Sequence, residues 1–509
     1  MNQILTVFEK DVRRYWREAS ASIALLIAFA WVEVHNWTYR ESLGFVPQGV
    51  FSFNFLLGAV NVLTPISWIF LAVRVVQGES LVGDRQFWLT RPYDWKKLLC
   101  AKFLFLTTFI NLPLLALDLF QLSRAGFHAS NYVIGLLWMQ VLVVMFVIIP
   151  AAALASVTAT VVQVLLTVVA LVLYAIGMVA FSELIPSSGF SGPVDWISAI
   201  LLLMACLAVI VLQYSRRKTM VSRLMIVGVL VAFFLLLVFT PYEAIVAHQF
   251  PPLPQGKQPP FQVRLLPPNS SQGDASPVEG KEVEIRLPLS VTGISDGQFV
   301  NFYSVRVILD TADGARWDSG WQSRGFHVFP EQKGGDVTFA LKADLFERIQ
   351  ATAAKIKLAF AFTLLHDRNQ QGFVVPQGEF DLLNVGHCFV DAGYTPSLKC
   401  LTPLREPGPL LVTTEASKST CPPKSTSPPE GLARDWMQPG GAEPAELGIS
   451  PIQSFSIYVS GGNNVAGICA GTPLVLSKPE ALVSGQTEIQ LNDVSLAQYR
   501  ENPLGFTFR

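Results

Sequence analysis

The sequence predicts an α-helical polytopic membrane domain of about seven spans, followed by an all-β extracytoplasmic domain of β-sandwich type. Three observations carry that expectation. Seven apolar stretches are confined to the first half of the chain. Lys and Arg are distributed one-sidedly between them. Apolar residues alternate with period two in the second half, the pattern of half-buried strands.

Composition sets the frame. The 509 residues are 51% hydrophobic and 15% charged, against roughly 25% charged in an average soluble protein. Residues before Pro241 hold 16 Lys and Arg against 11 Asp and Glu, and the rest of the chain holds 21 against 27. The net charge of -1 says nothing about a nucleic-acid partner, and none is expected. The first twenty residues are rich in charge, including Glu9, Lys10, Asp11, Arg13, Arg14, Arg17 and Glu18. No cleavable signal is expected, so the first span acts as its own insertion signal.

A crossing helix needs about 20 mostly apolar residues. The candidates are Ala19–Trp37, Phe53–Val73, Phe103–Leu122, Tyr132–Ala151, Val161–Phe181, Trp196–Tyr214 and Leu224–Thr240. The first is the weakest, with Glu33 and His35 near its far end. Between the fourth and fifth, Pro150 is the expected break.

Orientation follows from the basic residues near span ends. With the N-terminus in the cytoplasm, inner segments carry 14 of the 16 Lys and Arg before Pro241, and outer loops carry only Arg40 and Arg124. An odd number of spans places everything after Thr240 outside, whereas six spans would place it inside.

The cysteines bear on the same question. Cys100 and Cys206 read as ordinary small apolar residues of the helical half. Cys388, Cys400, Cys421 and Cys469 all lie in the second half, and an even set on the outer side predicts two disulfides. Four cysteines allow three pairings. Short loop closure favours Cys388–Cys400, leaving Cys421–Cys469, and four unpaired thiols are the competing reading.

The prolines of the linker 241–260, densest in Gln249–Pro260, favour a stiff extended spacer. Beyond it, Val283, Ile285, Leu287, Leu289 and Val291 share one face, as do Tyr303, Val305, Val307 and Leu309. Further strands are expected at Val337–Leu341, Ile356–Leu365, Phe373–Val375, Phe455–Val459 and Phe506–Phe508, with a helix at Ala343–Ala354. The domain 261–509 reads as one module or as two divided near Cys388. Thr414–Pro451, rich in Pro, Ser and Gly, reads as a long mobile loop.

Catalytic and cofactor chemistry is not expected in this chain. It has no G-x-x-x-x-G-K-[ST] loop, and the glycine-rich Gly461–Gly467 lacks the lysine and reads as a turn. It has no H-E-x-x-H, C-x-x-C or G-x-S-x-G pattern, and its six histidines lack metal spacing. His387 stands beside Cys388, where a disulfide is the expectation over a reactive thiol. Asn36-Trp-Thr38 and Asn269-Ser-Ser271 match the glycosylation pattern, which is short enough to arise by chance. Within the spans, Asn54, Asn61, Asn111, Asp118, Gln140 and Gln163 are polar. The asparagines are expected to join helices by hydrogen bonds. Asp118 stands near the outer end of its span, within reach of the headgroups.

Two inner features stand out. Ile4, Leu5, Phe8, Val12, Tyr15 and Trp16 recur at helical spacing opposite a charged face, so residues 1–19 read as an amphipathic helix suited to the membrane surface. The second is the segment 78–102 between spans two and three, with Glu79, Gly83, Asp84, Arg85, Phe87, Trp88, Leu89, Arg91 and Pro92, then Lys96, Lys97, Leu98, Leu99 and Lys102. An aromatic cluster rimmed by charge either sinks into the membrane surface or docks in a partner's groove, and docking suits it better.

These two features, over about the first 220 residues, resemble the permease subunits of type-2 ABC exporters, the ABC-2 class. In that family the second and third spans are joined by an acidic residue, a short helix ending at a Leu-x-x-x-Pro-like break, basic residues and a Leu-x-x-x-Lys start to the next span. Glu79, Phe87-Trp88-Leu89, Arg91-Pro92, Lys96-Lys97 and Leu98/Leu99 with Lys102 match that order. The resemblance implies that Glu79–Pro92 couples to a separate ABC ATPase subunit and that the permease works as a homodimer or pair in a bacterial inner membrane. The family core has six spans with both ends inside. The expected seventh span and the outer domain depart from it, and a periplasmic partner or a gating role is what that domain suggests. A non-transporting membrane anchor carrying an outer binding or sensing domain is the rival reading.

Overall fold

In the computed structural model, the described residues are 2–39, 53–78, 94–184, 193–239, 242–254, 259–267, 282–311, 314, 316–323, 325–330, 334–350, 354–368, 370–382, 385–391, 396–404, 410–415, 421, 432–437, 450–457, 459–461, 464–466 and 468–500. The chain divides into two compact units. One comprises 1–176, 196–234 and 371–476; the other comprises 177–195, 235–370 and 477–509.

The helices come first: α1 (Asn2–Tyr39), α2 (Phe53–Gln77), α3 (Trp95–Leu106), α4 (Leu112–Arg124), α5 (Val133–Val143), α6 (Ile149–Val157), α7 (Val161–Leu184), α8 (Pro193–Arg216) and α9 (Thr219–Phe239). They supply seven stretches long and apolar enough to cross a membrane among the described residues, because α3–α4 and α5–α6 each run on as one span. What joins each of those pairs is a π-helical turn, Thr107–Asn111 in the first and Val144–Ile148 in the second.

The two π turns correct the reading of Pro150. Each is followed at its second residue by a proline, Pro113 or Pro150, inside the first turn of the next helix. Proline has no N–H and its ring crowds the carbonyl four residues back. A wider turn relieves both problems, so the helix continues to Val157 instead of breaking. The chain breaks at Thr158–Thr160. There Thr160 Oγ1 accepts from Gln163 N and Gln163 Oε1 accepts from Ala159 N, starting α7.

The second unit holds α10 (Tyr242–Gln249), β1 (Gln262–Leu265), β2 (Glu282–Thr292), β3 (Gln298–Asp310), β4 (Arg316–Gln322), β5 (Phe326–Val328), β6 (Gly334–Lys342), α11 (Ala343–Ile349), β7 (Ala354–His366) and, far along the chain, β18 (Glu480–Val494). One sheet runs β1-β2-β6; the other runs β18-β7-β3-β4, with β5 also on β3. Both bury their inner faces in a single core. Val283, Ile285, Leu287, Leu289 and Val291 all enter it, as their alternation requires. Val305, Val307 and Leu309 enter too, but Tyr303 does not: the β3–β7 register shifts between Phe302 and Ser304, so Val300 and Phe302 point inward before the bulge. The linker begins as a helix, α10, whose Ile245 and Val246 pack on Trp321, Ala359 and Ala361 while Glu243 pairs with Arg306 at 2.8 Å.

Residues 371–476 belong to the first unit. Their strands are β8 (Gln371–Val374), β9 (Phe380–Leu382), β10 (Gly386–Asp391), β11 (Ser397–Pro403), β12 (Leu410–Glu415), β13 (Leu432–Met437), β14 (Ile452–Ile457), β15 (Val459–Gly461), β16 (Asn464–Ala466) and β17 (Pro473–Ser477). Sheets β14-β11-β10-β9 and β13-β12-β17-β8 share a second, smaller core. Thr414–Pro451 is therefore not all loop. Its segment Leu432–Met437 pairs antiparallel with β12 over six residues, which gives that backbone its partners. The expected strand Phe506–Phe508 and sequon Asn269-Ser-Ser271 lie outside the described residues.

Candidate functional site

The first cluster lies where α1 meets the two ends of the 79–93 segment. The buried stripe of α1 runs Val7, Asp11, Tyr15, Ala19, Ser22, Leu26, at the three- and four-residue spacing of one helix face. The stripe includes one charge that the apolar spacing left out, the buried Asp11, while Leu5 and Trp16 are 52% and 54% exposed. Lys102 Nζ on α3 donates to both Asp11 oxygens, at 3.0 and 2.8 Å, and both side chains are only 2% exposed. An ion pair this deep costs several kcal/mol if one partner is removed, roughly 3–5, because the survivor is left as an uncompensated charge.

One turn on, α1 holds the other end of the segment. Tyr15 leaves helical geometry (φ -114°, ψ 15°) and its ring fills the space above Gly78, the last described residue before the segment. A Cβ at Gly78 would overlap the Tyr15 hydroxyl, so any larger residue there would have to displace that ring. Arg14 Nη1 donates to Gly78 O at 3.3 Å, and Arg74 on α2 lies 3.6 Å from Glu18. The N-terminal helix thus grips the last turn of α2 and the first turns of α3 together.

The second cluster is a polar face on the third and fourth spans. Asn111 closes the first π turn, and Asp118 and Gln121 follow it on the same side of α4. Asn111 Nδ2 donates to Gln140 O at 3.1 Å and to Gln140 Oε1 at 3.0 Å. Gln140 Nε2 in turn donates to Asp118 Oδ2 at 3.0 Å. Asp118 is 1% exposed, so it does not reach out towards headgroups; it turns inward because α5 offers the Gln140 amide. Three buried atoms of this face have no protein partner: Asn111 Oδ1, Asp118 Oδ1 and Gln121 Nε2.

Beside this face, the 371–476 region packs on the helix ends. Leu401 and Ile452 join Val34 of α1, Leu122 and Ala125 at the end of α4, and Leu136 of α5 in one apolar cluster. Leu404 sits where a side chain at Gly135 would be, so the glycine permits the close approach. Leu401 follows Cys400, which is bonded to Cys388 directly across the β10–β11 ladder, with Cα atoms 4.0 Å apart. The second disulfide is Cys421–Cys469. Both pairs are those that short loop closure favours.

Of the other residues singled out in the sequence, Glu79, Gly83, Asp84, Arg85, Phe87, Trp88, Leu89, Arg91 and Pro92 lie outside the described residues, as does the Asn54 side chain. Asn61 is exposed on α2. Asn111 joins two spans, as read. Sequence reasoning missed the pairing of Asp11 with Lys102, the Tyr15–Gly78 contact and Gln121. The one available signal was a charge at position 11 inside an otherwise apolar periodic stripe. Among the described residues no group of His, Cys, Asp and Glu could hold a metal ion.

Seven membrane-length helices, a β-rich second half and two disulfides make this a multi-pass membrane protein with a β-rich region of extracytoplasmic character. No protein-family model matches the chain, and no curated protein matches it. Among solved structures it is similar to a red sea bream transglutaminase at 13% identity, over 46% of this chain and 31% of that one, with a TM-score of 0.14. A likeness that slight carries no argument about fold or chemistry.

Proposed function

We propose that this chain is the permease subunit of an ATP-driven exporter of the ABC-2 class, working with a separate ATPase subunit in a bacterial inner membrane. The N-terminus is cytoplasmic, and the chain after α9 is periplasmic. One observation carries the reading: a single helix holds both helices that flank the 79–93 segment, the end of α2 through Tyr15 and Arg14 on Gly78 and the middle of α3 through Asp11 on Lys102. α1 thereby ties the end of α2 to α3, so that a displacement of either helix is shared by all three. A push on Phe87 and Trp88 by an ATPase is then passed into the spans as a tilt. The broad apolar faces of α7 and α9 suit a second permease copy or lipid, and the 371–476 region, packed on the ends of α4 and α5, suits a gate.

The test is replacement of Phe87 and Trp88 by alanine in the full chain. Insertion, the disulfides and folding of the β region are expected to survive. Co-purification of the ATPase in mild detergent, and stimulated ATP hydrolysis, are expected to be lost. If the double variant assembles and hydrolyses ATP as the parent does, the coupling role fails and the anchored-domain reading gains most.

A further inference from the structure

We infer that Asn111, Asp118 and Gln121 form a binding site for a single monovalent cation inside the third and fourth spans. The argument starts from hydrogen-bond direction. Asn111 gives its amide N–H to two carbonyl oxygens of Gln140, so its own Oδ1 must point away from Gln140. Gln140 spends its oxygen on Asn111, so its N–H faces Asp118 and satisfies Oδ2 alone. The chain of donors ends there. Asp118 Oδ1 and Asn111 Oδ1 are left as two buried acceptors on one helix face, with Gln121 Nε2 a turn further on as a buried donor.

Charge points the same way. Among the described residues no cationic side chain pairs with Asp118: α5 carries no titratable residue, Arg124 at the end of α4 is exposed, and Lys102 is committed to Asp11. Glu33 and His35 near the end of α1, and His128 and Tyr132 in the turn between α4 and α5, are further described titratable groups at that end of the bundle. A carboxylate inside a membrane is expensive unless something positive meets it. What is missing is one positive charge and a partner for two oxygens, which is what a proton or a small alkali ion supplies. Gln121 Nε2, a buried donor without a protein partner, is left free for a water of the ion's shell. The adjoining π turn, where Asn111 sits, is the kind of local defect that accompanies functional sites in helices. The inference needs only that these helices cross the membrane; it stands or falls apart from any ATPase.

The experiment uses the full-length protein in nanodiscs. Thermal unfolding is followed in LiCl, NaCl, KCl and choline chloride at fixed ionic strength, each at two pH values. A ligand that binds the folded state raises Tm saturably. The expected result is a saturable rise with one alkali ion, or a response to acid alone, and its loss in Asp118→Asn. That variant keeps the acceptor for Gln140 but not the charge. Two measurements on the parent protein guard against a variant that fails to fold. Equilibrium binding of radiolabelled sodium, competed by lithium and acid, identifies an alkali ion. A protonated-carboxyl stretch in the infrared identifies a proton. No sodium binding, no such band and no Tm response would overturn the site.

Discussion

The two β regions solve the same problem with different means. The region 235–370 with 477–500 has no cysteine and fills its core with Phe302, Phe339, Phe346, Phe360 and Phe362, all fully buried. The region 371–476 holds all four cysteines of the β half and a smaller core of Val, Leu and Ile around the Cys388–Cys400 bridge. A core that buries several rings gains roughly 1.5–3 kcal/mol per large side chain. A small core that cannot do so leans on covalent links that restrict its unfolded state. The bulky region should therefore answer to packing and ignore reductant, and the stapled region should do the reverse.

The largest effect is expected in the first region. Phe360→Ala on the central strand β7 removes a ring in contact with Phe302 at 5.1 Å between centroids. Such a cavity costs about 3–5 kcal/mol. Hydrogen exchange on the full chain should show faster exchange through β3, β7 and β18 while 371–476 keeps its protection. Equal loss in both regions would mean they do not unfold separately, and the comparison would break.

The next effect is the converse. Replacing Cys388 and Cys400 together by alanine should cost about 2–4 kcal/mol, centred on 371–476 and sparing the Phe-rich region. Reductant should reproduce that loss in the parent protein and leave the Phe-rich region unchanged. Because Leu401 next to Cys400 packs on Leu122 and Leu136, exchange at the end of α4 should rise as well. If reductant leaves 371–476 as protected as before, the cystines are not what holds it.

How far each part was legible follows from its physics. The helices were readable because apolar composition and length alone decide a span. The strand Glu282–Thr292 was readable because it buries one face, and alternation records that. β18, with fifteen residues, escaped because it is an edge strand exposed over most of its length, and only the short stretch with Ile489 and Leu491 alternates. β10 and β11 escaped because the reading stopped at their cysteines. Pro150 misled because propensity says nothing of a π turn that accommodates it. The Asp11–Lys102 pair was invisible for a deeper reason: a charge looks the same in sequence whether water or another charge meets it.

The smallest effect probes the exposed face of the stapled region. Residue 387 lies on β10 directly opposite Asp381 of β9, with its ring on the face away from the Cys388 core. His387 Nδ1 lies 2.8 Å from Asp381 Oδ1, and Nε2 lies 2.9 Å from Glu379 Oε2. Partial burial works to lower the pKa of this imidazole, but the hydrogen bonds to Glu379 and Asp381 and their charges outweigh it, so the net shift is upward. Two carboxylates require two N–H donors, which only the imidazolium has. On the β11 side its neighbour is Leu401, which cannot replace either bond. A pKa higher in the folded than in the unfolded chain means stability fully present below the unfolded value, near 6.5. That stability is lost as pH rises through the folded value. Solvent around this half-buried ring keeps the contribution under about 1 kcal/mol. Protection of the β9–β10 ladder should therefore fall between mildly acidic and mildly alkaline pH. In His387→Gln, which carries no titrating charge, it should stay flat over that range. NMR titration of the parent protein should place the His387 midpoint above that of an exposed histidine; a midpoint at or below the ordinary value would remove this strap from the comparison.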